Sequence, residues 1–169
     1  MDYPLILKPT SLQSFVLSTG EEISVAKTRP KFQEWSGENL QNTYGGKAVI
    51  NMAGEPCFAE LAILSAFQND GWMGVWVDSY GGRFRTIWEG VGVDLPPEKQ
   101  SLLDRIKISG TSKSGCWDVF CWREDEVVFA EAKRLGDDQV RSSQVNWLEA
   151  ALRAGVDINS FLLVEWKFA

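Results

Sequence analysis

Histidine is absent from this chain of 169 residues. Its absence excludes Ser-His-Asp hydrolysis, Cys-His nucleophiles, HNH-type nucleases, zinc ligation by imidazole and histidine general bases. Any chemistry must therefore use carboxylates, lysine, cysteine, tyrosine, serine or threonine. Cysteine is also scarce, because Cys57, Cys116 and Cys121 are an odd number without a C-x-x-C pair. This argues against a disulfide framework and a four-ligand structural zinc site, and predicts buried, reduced thiols.

Long hydrophobic runs and targeting signals are also missing. No apolar run approaches the roughly 20 residues needed to cross a bilayer. The first residues, Met1-Asp2-Tyr3-Pro4, are acidic where a secretory signal would be basic. We therefore expect a cytoplasmic protein without a membrane partner. The length predicts one domain with room for a real core and an added arm.

Positive charge is in deficit. Lysine and arginine total 17 against 23 aspartate and glutamate residues, giving a net charge of −6. Taken alone, this balance weighs against a nucleic-acid partner, because phosphate binding usually leaves a basic footprint. The deficit lies almost wholly in residues 48–98, which contain 2 basic and 7 acidic residues. It therefore leaves a nucleic-acid site elsewhere in the chain open.

The hydrophobic pattern divides the chain near residue 54. Residues 1–54 contain short apolar runs separated by turn residues and are predicted to form a β-rich arm. Within this arm, Tyr44-Gly45-Gly46-Lys47-Ala48 lacks the spacing of a phosphate-binding P-loop and predicts a plain turn. Residues 55–169 are predicted to form the main domain. It begins with a helix over 56–69 that has Pro56 at its first position.

The rest of the main domain alternates strands and helices. We predict strands over 72–79, 116–122, 127–133 and 160–166, and a helix that begins at Ser142 or Ser143 and stops at Gly155. Residues 83–88 and 97–108 are compatible with a further strand and helix. Without those two segments, the order from residue 56 is helix, strand, strand, strand, helix, strand.

The predicted hairpin of 116–122 and 127–133 carries charge on otherwise apolar strands. Glu131 and Lys133 share one face because side chains alternate along a strand, and pairing places Asp118 near residue 131. Two carboxylates with the Ala132 carbonyl between Glu131 and Lys133 suit Mg²⁺ or Mn²⁺. Lys133 could orient a water for attack. Such a site can hydrolyse a phosphodiester without histidine.

The Glu-x-Lys tripeptide by itself has little specificity. A second copy occurs at Glu165 and Lys167, but it lacks an acidic residue on a preceding hairpin strand. The spacing therefore favours Glu131 and Lys133 as the functional copy. The alternative for this copy is an ordinary solvated face of an edge strand.

The run from residue 115 to 148 resembles a known family. It contains Gly-Cys-Trp-Asp at 115–118, Glu-Ala-Lys at 131–133 and Gln-Val-Asn-Trp-Leu at 144–148. This pattern resembles the PD-(D/E)xK nuclease superfamily, and within it the VRR-NUC branch of virus-type replication and repair nucleases. The resemblance extends over residues 55–166 and is closest over 115–155. The sequence departs from the branch at Trp117, where proline is usual.

The resemblance implies a fold and a set of roles. The fold is α/β, with a restriction-endonuclease-like αβββαβ core, a mixed four-stranded sheet flanked by helices and, here, an N-terminal β-rich extension. Asp118 and Glu131 would be metal ligands, Lys133 the water-orienting or transition-state cation, and Gln144 a helix residue facing the site. Glu60 matches an acidic residue that family members place near the metal from the first helix. The alternative interpretation of Glu60 is a carboxylate on the solvent-facing side of this helix.

The sequence therefore predicts an Mg²⁺- or Mn²⁺-dependent endonuclease or exonuclease that acts on DNA. Small members of this branch resemble junction-resolving enzymes that act as dimers, which implies branched DNA and a homodimer. RNA as the substrate stays open. The candidate phosphate contacts, each of which could equally be a solvated cation, are Arg83, Arg85, Lys113, Arg134 and Arg141. The alternative function is a catalytically inactive binding or regulatory protein that keeps the nuclease fold.

Overall fold

The computed structural model describes residues 1–79, 82–87, 90–110 and 114–169. Within these ranges the helices are α1 (Ala59–Asn69), α2 (Pro97–Ser109) and α3 (Ser142–Arg153). The strands are β1 (Ser11–Val16), β2 (Glu22–Thr28), β3 (Lys31–Glu34), β4 (Ile50–Met52), β5 (Glu55–Cys57), β6 (Met73–Asp78), β7 (Arg83–Arg85), β8 (Val119–Arg123), β9 (Glu126–Arg134) and β10 (Phe161–Phe168). Short 3-10 turns lie at Leu5–Leu7 and Ile158–Ser160.

The strands form one mixed, mostly antiparallel sheet flanked by the three helices. Its main path runs β5-β4-β3-β10-β9-β8-β6-β7, and the β1-β2 hairpin joins through β2. All parallel pairs in the described chain involve β10, which pairs with β9 on one side and with β2 and then β3 on the other. The α/β class is confirmed. The sheet is wider than four strands because β2 and β3 extend it beyond β10.

The sheet is buried on both faces, which explains the apolar central strands. Along β9, Val128, Ala130 and Ala132 belong to a core that includes α1. Phe129 belongs to the opposite core, with α2 and α3, and stacks on Phe120 with ring centroids 4.5 Å apart. Strands covered on both sides carry near-continuous hydrophobic runs, as β8 and β10 do here.

The predicted β8-β9 hairpin is present, with Val119 in register with Ala130. The sequence predicts Asp118 within the first strand, but β8 begins one residue later, at Val119. The Asp118 carbonyl still accepts a hydrogen bond from the Val77 amide at 2.7 Å. Residue 118 therefore keeps its place beside β6 while its side chain lies at the end of the strand.

The first core helix starts later than predicted. The sequence places Pro56 at its first position, but Pro56 lies in β5, in register with Asn51, and α1 begins at Ala59. Proline is acceptable in β5 because an edge strand need not donate every backbone N–H to a neighbour. In the region 83–88, β7 covers only Arg83–Arg85, and Trp88 lies outside the described residues.

The N-terminal strands are also attached to α3. Ser18, at the β1-β2 turn, donates from its amide to Glu149 Oε2 at 3.0 Å and from its hydroxyl to Glu149 Oε1 at 2.6 Å. These bonds and the pairing of β2 with β10 place the N-terminal segment against the rest of the sheet. No helix within the described ranges has both the length and the apolar character needed to cross a bilayer.

Candidate active site

Asp118 and Glu131 meet where β8 begins and β9 approaches its end. The Asp118 amide donates to Glu131 Oε2 at 3.3 Å, and the Ala132 amide donates to Asp118 Oδ2 at 3.0 Å. Each carboxylate is therefore held by a backbone group of the opposite strand. The register of the hairpin produces this exchange, because Val119 faces Ala130 and the next pair brings residues 118 and 131 together.

Glu131 is fully buried and heavily hydrogen-bonded. Its Oε1 atom pairs with Lys133 Nζ at 2.7 Å and also accepts a hydrogen bond from Gln144 Nε2. Lys133 reaches this oxygen because residues two apart on a strand share a face. The structure thus brings Asp118, Glu131, Lys133 and Gln144 together.

Gln144 is oriented by the start of α3. Its side-chain oxygen accepts a hydrogen bond from the Arg141 amide at 2.8 Å, which leaves its NH₂ group for Glu131. Trp117 supports the same turn, since its Nε1 atom donates to the Gln144 carbonyl at 3.2 Å and the side chain is fully buried. Trp117 stands where proline is usual in the family that the sequence resembles. Its hydrogen bond links α3 to the segment that carries Asp118.

Gly115 permits the close approach of these two segments. It has φ of +99°, in the region that favours glycine. A Cβ atom there would also overlap the backbone carbonyl of Ser143 at the start of α3. The glycine is therefore required both by its backbone conformation and by the space available.

Glu60 approaches the same site from α1, and its partner is a residue that the sequence does not predict. Glu60 is buried, and its Oε1 atom forms an ion pair with Lys47 Nζ. The sequence indicates only a turn around Lys47. Because Lys47 is far along the chain from the hairpin, the sequence does not indicate that it belongs to the site. A charged residue directly after two glycines is the only local hint.

The acidic groups have strongly shifted pKa values. Burial and the charge of Glu60 raise the pKa of Asp118 to about 6, although Lys47 and Lys133 oppose the shift. Burial and the charge of Asp118 likewise hold the pKa of Glu131 well above its ordinary value. Burial lowers the pKa of Lys47, but the pair with Glu60 and the nearby Asp118 and Glu131 charges raise it overall. Burial and the neighbouring carboxylates therefore both disfavour the ionised forms of Asp118 and Glu131.

The donor set fits a hard divalent cation in part. Mg²⁺ is usually held by one or two carboxylates together with several waters, and Asp118 and Glu131 supply such a pair. Glu60 could provide a third carboxylate, but its oxygen is engaged by Lys47. The described residues contain no group of three acidic, cysteine or histidine side chains arranged to hold a metal ion. Ala132, predicted to offer its carbonyl, lies between Glu131 and Lys133 and donates its amide to Asp118.

The predicted phosphate contacts that the structure describes lie in different environments. Arg85 is buried and its Nε atom donates to Asp78 Oδ2 at 2.8 Å. Arg134 pairs with Asp137 at 3.0 Å and lies over the Phe168 ring. Arg83 and Arg141 are exposed, and Lys113 lies outside the described residues.

The second Glu-x-Lys copy has a different environment. Glu165 is in register with Lys133 on the neighbouring strand. Its carboxylate is neutralised by Lys27 at 3.0 Å and by Arg29 at 2.6 Å. It shares the neighbourhood of the candidate site but has two basic partners instead of a second acid. All three cysteines are free; Cys57 and Cys121 are buried as predicted, whereas Cys116 is half-buried.

Comparison of the chain with protein-family models, with curated proteins and with solved structures finds no significant match.

Proposed function

We propose that this protein is a divalent-metal-dependent nuclease that hydrolyses phosphodiester bonds in DNA. The proposal rests on the position of four residues, which lie together in the fold: Asp118, Glu131, Lys133 and Gln144. They are linked by hydrogen bonds and an ion pair. Buried carboxylates with raised pKa values in such a cluster are typical of functional sites.

The order of elements also supports the proposal. Helix α1, strands β6, β8 and β9, helix α3 and strand β10 follow one another as αβββαβ once β7 and α2 are set aside. The four strands are adjacent in the sheet in the order β6-β8-β9-β10, with β10 parallel to β9. This is the arrangement that the resemblance to PD-(D/E)xK nucleases of the VRR-NUC branch implies.

Each residue has a defined task in the proposed reaction. Asp118 and Glu131 would hold Mg²⁺ or Mn²⁺, with Glu60 as a third acid. When bound, the cation supplies positive charge beside the phosphate and makes a nearby water easier to deprotonate. Lys133 offers an ammonium group that orients the attacking water or neutralises charge developing on the phosphate. Gln144 fixes the Glu131 carboxylate, so that its orientation is set before the substrate binds.

The substrate class rests on the resemblance, which implies structured or branched DNA and a dimer that makes symmetric cuts. The test is incubation of the purified protein with branched, flapped and linear DNA, and with RNA of the same sequence, in Mg²⁺, Mn²⁺ or EDTA. We expect cleavage of DNA in the metal-containing samples and none in EDTA. Asp118→Asn, purified identically, controls for contaminating nucleases and is expected to be inactive.

Cleavage of RNA alone would correct the substrate. An absence of cleavage in both metals on every substrate would contradict the proposal and favour the inactive binding or regulatory protein. Cleavage that persists in Asp118→Asn would also contradict it, because the activity would then not belong to this site.

A further inference from the structure

Lys47 belongs to the candidate site although it comes from the N-terminal segment, far from the hairpin in sequence. Its ammonium group pairs with Glu60 Oε1, and its side chain keeps 36% of its surface exposed while that of Glu60 keeps 8%. The more buried partner is thus the carboxylate. An ionised carboxylate at this depth requires a cation beside it.

The loop that delivers Lys47 is held in a defined position. The Tyr44 ring packs edge-on against Phe58 and Trp76, with centroids 5.8 Å away in both cases. The Lys47 amide donates to the Thr43 carbonyl at 2.9 Å, which closes the turn. Lys47 therefore projects from an anchored turn, and its contact with Glu60 is part of the folded arrangement.

The contact occupies an oxygen that a metal ion would use. A carboxylate oxygen that ligates Mg²⁺ lies about 2.0–2.1 Å from the ion, which leaves no room for an ammonium group at the same place. With Lys47 on Glu60, a cation meets Asp118 and Glu131, whose Oε1 atom is itself paired with Lys133. Once Lys47 leaves, the Glu60 carboxylate also becomes available to a cation.

We infer that Lys47 is a built-in competitor of the divalent cation: its ammonium group holds Glu60 in the metal-free protein and is displaced when the cation binds. The inference rests on the proposed function only in taking a divalent cation as the ligand of this site. The charge of Glu60 helps to raise the pKa of Asp118, so the carboxylate that Lys47 holds acts on a proposed ligand of the cation. Displacement leaves no buried lysine unpaired, because the Lys47 side chain already reaches solvent.

The first test is calorimetric titration of Mn²⁺ into the 169-residue chain without nucleic acid. Lys47→Met retains a side chain of similar length without the charge, and we expect it to bind Mn²⁺ about tenfold more tightly than the wild type, within the usual range of coupling between competing interactions. Lys47→Arg keeps the charge and is expected to stay within about threefold of the wild type. Unchanged or weaker binding by Lys47→Met would overturn the inference, as would equal tightening by Lys47→Arg.

Lys27→Met is the matched control. Lys27 likewise pairs with a glutamate, Glu165, which retains Arg29 as a partner after the substitution. We expect its Mn²⁺ affinity to equal that of the wild type. A similar gain of affinity in this variant would overturn the inference, because the effect would not be specific to Glu60.

The second test uses the wild-type protein and does not depend on the folding of a variant. An amine-acylating reagent is applied with and without Mn²⁺, and the rate of modification at each lysine is followed by mass spectrometry. Displacement predicts several-fold faster acylation of Lys47 in Mn²⁺ and no change at Lys27. An unchanged Lys47 rate under saturating Mn²⁺ would overturn the inference.

The two proposals fail in different ways. If the wild type binds Mn²⁺ and cleaves DNA while Lys47→Met binds no more tightly, only the role of Lys47 is wrong. If Lys47→Met binds Mn²⁺ more tightly than the wild type but no variant cleaves nucleic acid, the competition is supported and the nuclease proposal fails. If neither the wild type nor Lys47→Met binds Mn²⁺, both are wrong.

Discussion

Asp118, which is partly buried, and Glu131, which is fully buried, are two acids packed side by side, which is an unfavourable arrangement for stability. The pKa of Asp118 is raised from 3.8 to about 6. At about 1.4 kcal/mol for each pKa unit, ionising Asp118 costs the metal-free fold about 3 kcal/mol. A cost of this size in a marginally stable domain is typical of a functional site, where activity rather than stability determines the residue.

Replacement of Asp118 by asparagine should therefore stabilise the metal-free protein at pH 8. The asparagine side chain keeps an oxygen for the Ala132 amide but removes one of the two negative charges. We expect a gain of about 1–3 kcal/mol in the free energy of unfolding, measured by urea denaturation in EDTA. Asp78→Asn is the contrasting control, because Asp78 forms a buried ion pair with Arg85 and its loss should destabilise the fold. A destabilised Asp118→Asn protein would mean that Asp118 has a structural role instead.

The raised pKa of Asp118 also makes the stability of the metal-free protein depend on pH. An acid whose pKa is higher in the folded than in the unfolded protein stabilises the fold while it is protonated. The free energy of unfolding of the metal-free protein should therefore fall as the pH rises from about 4 to about 6. Bound Mn²⁺ requires the ionised acids and should act in the opposite direction. Calorimetric titration should show Mn²⁺ affinity falling as the pH is lowered through about 6. An affinity that stays constant from about one pH unit below this value to one unit above it would contradict the assignment of Asp118 as a ligand.

The first turn of helix α3 fixes the orientation of side chains at the candidate site. Arg141 and Gln144 close the first turn of the helix. Trp117 hydrogen-bonds to this turn, and Gly115 allows the segment before β8 to approach it closely. The orientation of Gln144, and through it that of Glu131, therefore depends on backbone packing rather than on the acids themselves.

Gly115→Ala should disturb this junction far more than a comparable glycine substitution elsewhere. Gly136 also has a positive φ, of +89°, but its Cβ would meet nothing within 4 Å. We expect Gly136→Ala to cost about 1–2 kcal/mol from backbone strain alone. Gly115→Ala carries that strain plus a clash with the Ser143 carbonyl, and should lose more stability and also Mn²⁺ affinity. Thermal unfolding and titration measure both, and equal effects of the two substitutions would contradict this explanation of the junction.

The elements that sequence reasoning predicts well are those with local signals. The β8-β9 hairpin and α3 follow from alternation, turn residues and helical periodicity over adjacent residues, and the two acids and the lysine of the site follow from the hairpin. Lys47 cannot be found in this way, because its contact with Glu60 depends on how the N-terminal segment crosses α1. Arg85, predicted as a phosphate contact or a solvated cation, is instead buried, and nothing local in the sequence indicates its ion pair with Asp78.

At the scale of the whole molecule, the N-terminal strands share hydrogen bonds with the main sheet. Ala26 of β2 pairs with Leu162, which pairs on its other side with Ala130 of β9. Strands joined through β10 should open together. Hydrogen exchange should therefore show amides of β2 protected to nearly the same free energy as those of β9. Much faster exchange throughout β2 would show instead that the N-terminal segment opens independently.

The proposed function requires that the cluster around Glu131, and not the similar tripeptide on the next strand, performs phosphodiester hydrolysis. Cleavage of end-labelled branched DNA in Mn²⁺ by Lys133→Ala and Lys167→Ala compares the two copies directly, because Lys167 is exposed and stands outside the acid cluster. We predict a loss of at least about 100-fold in rate for Lys133→Ala, the lower end for removal of a catalytic group, and a near wild-type rate for Lys167→Ala. Equal rates for Lys133→Ala and the wild type would contradict the claim.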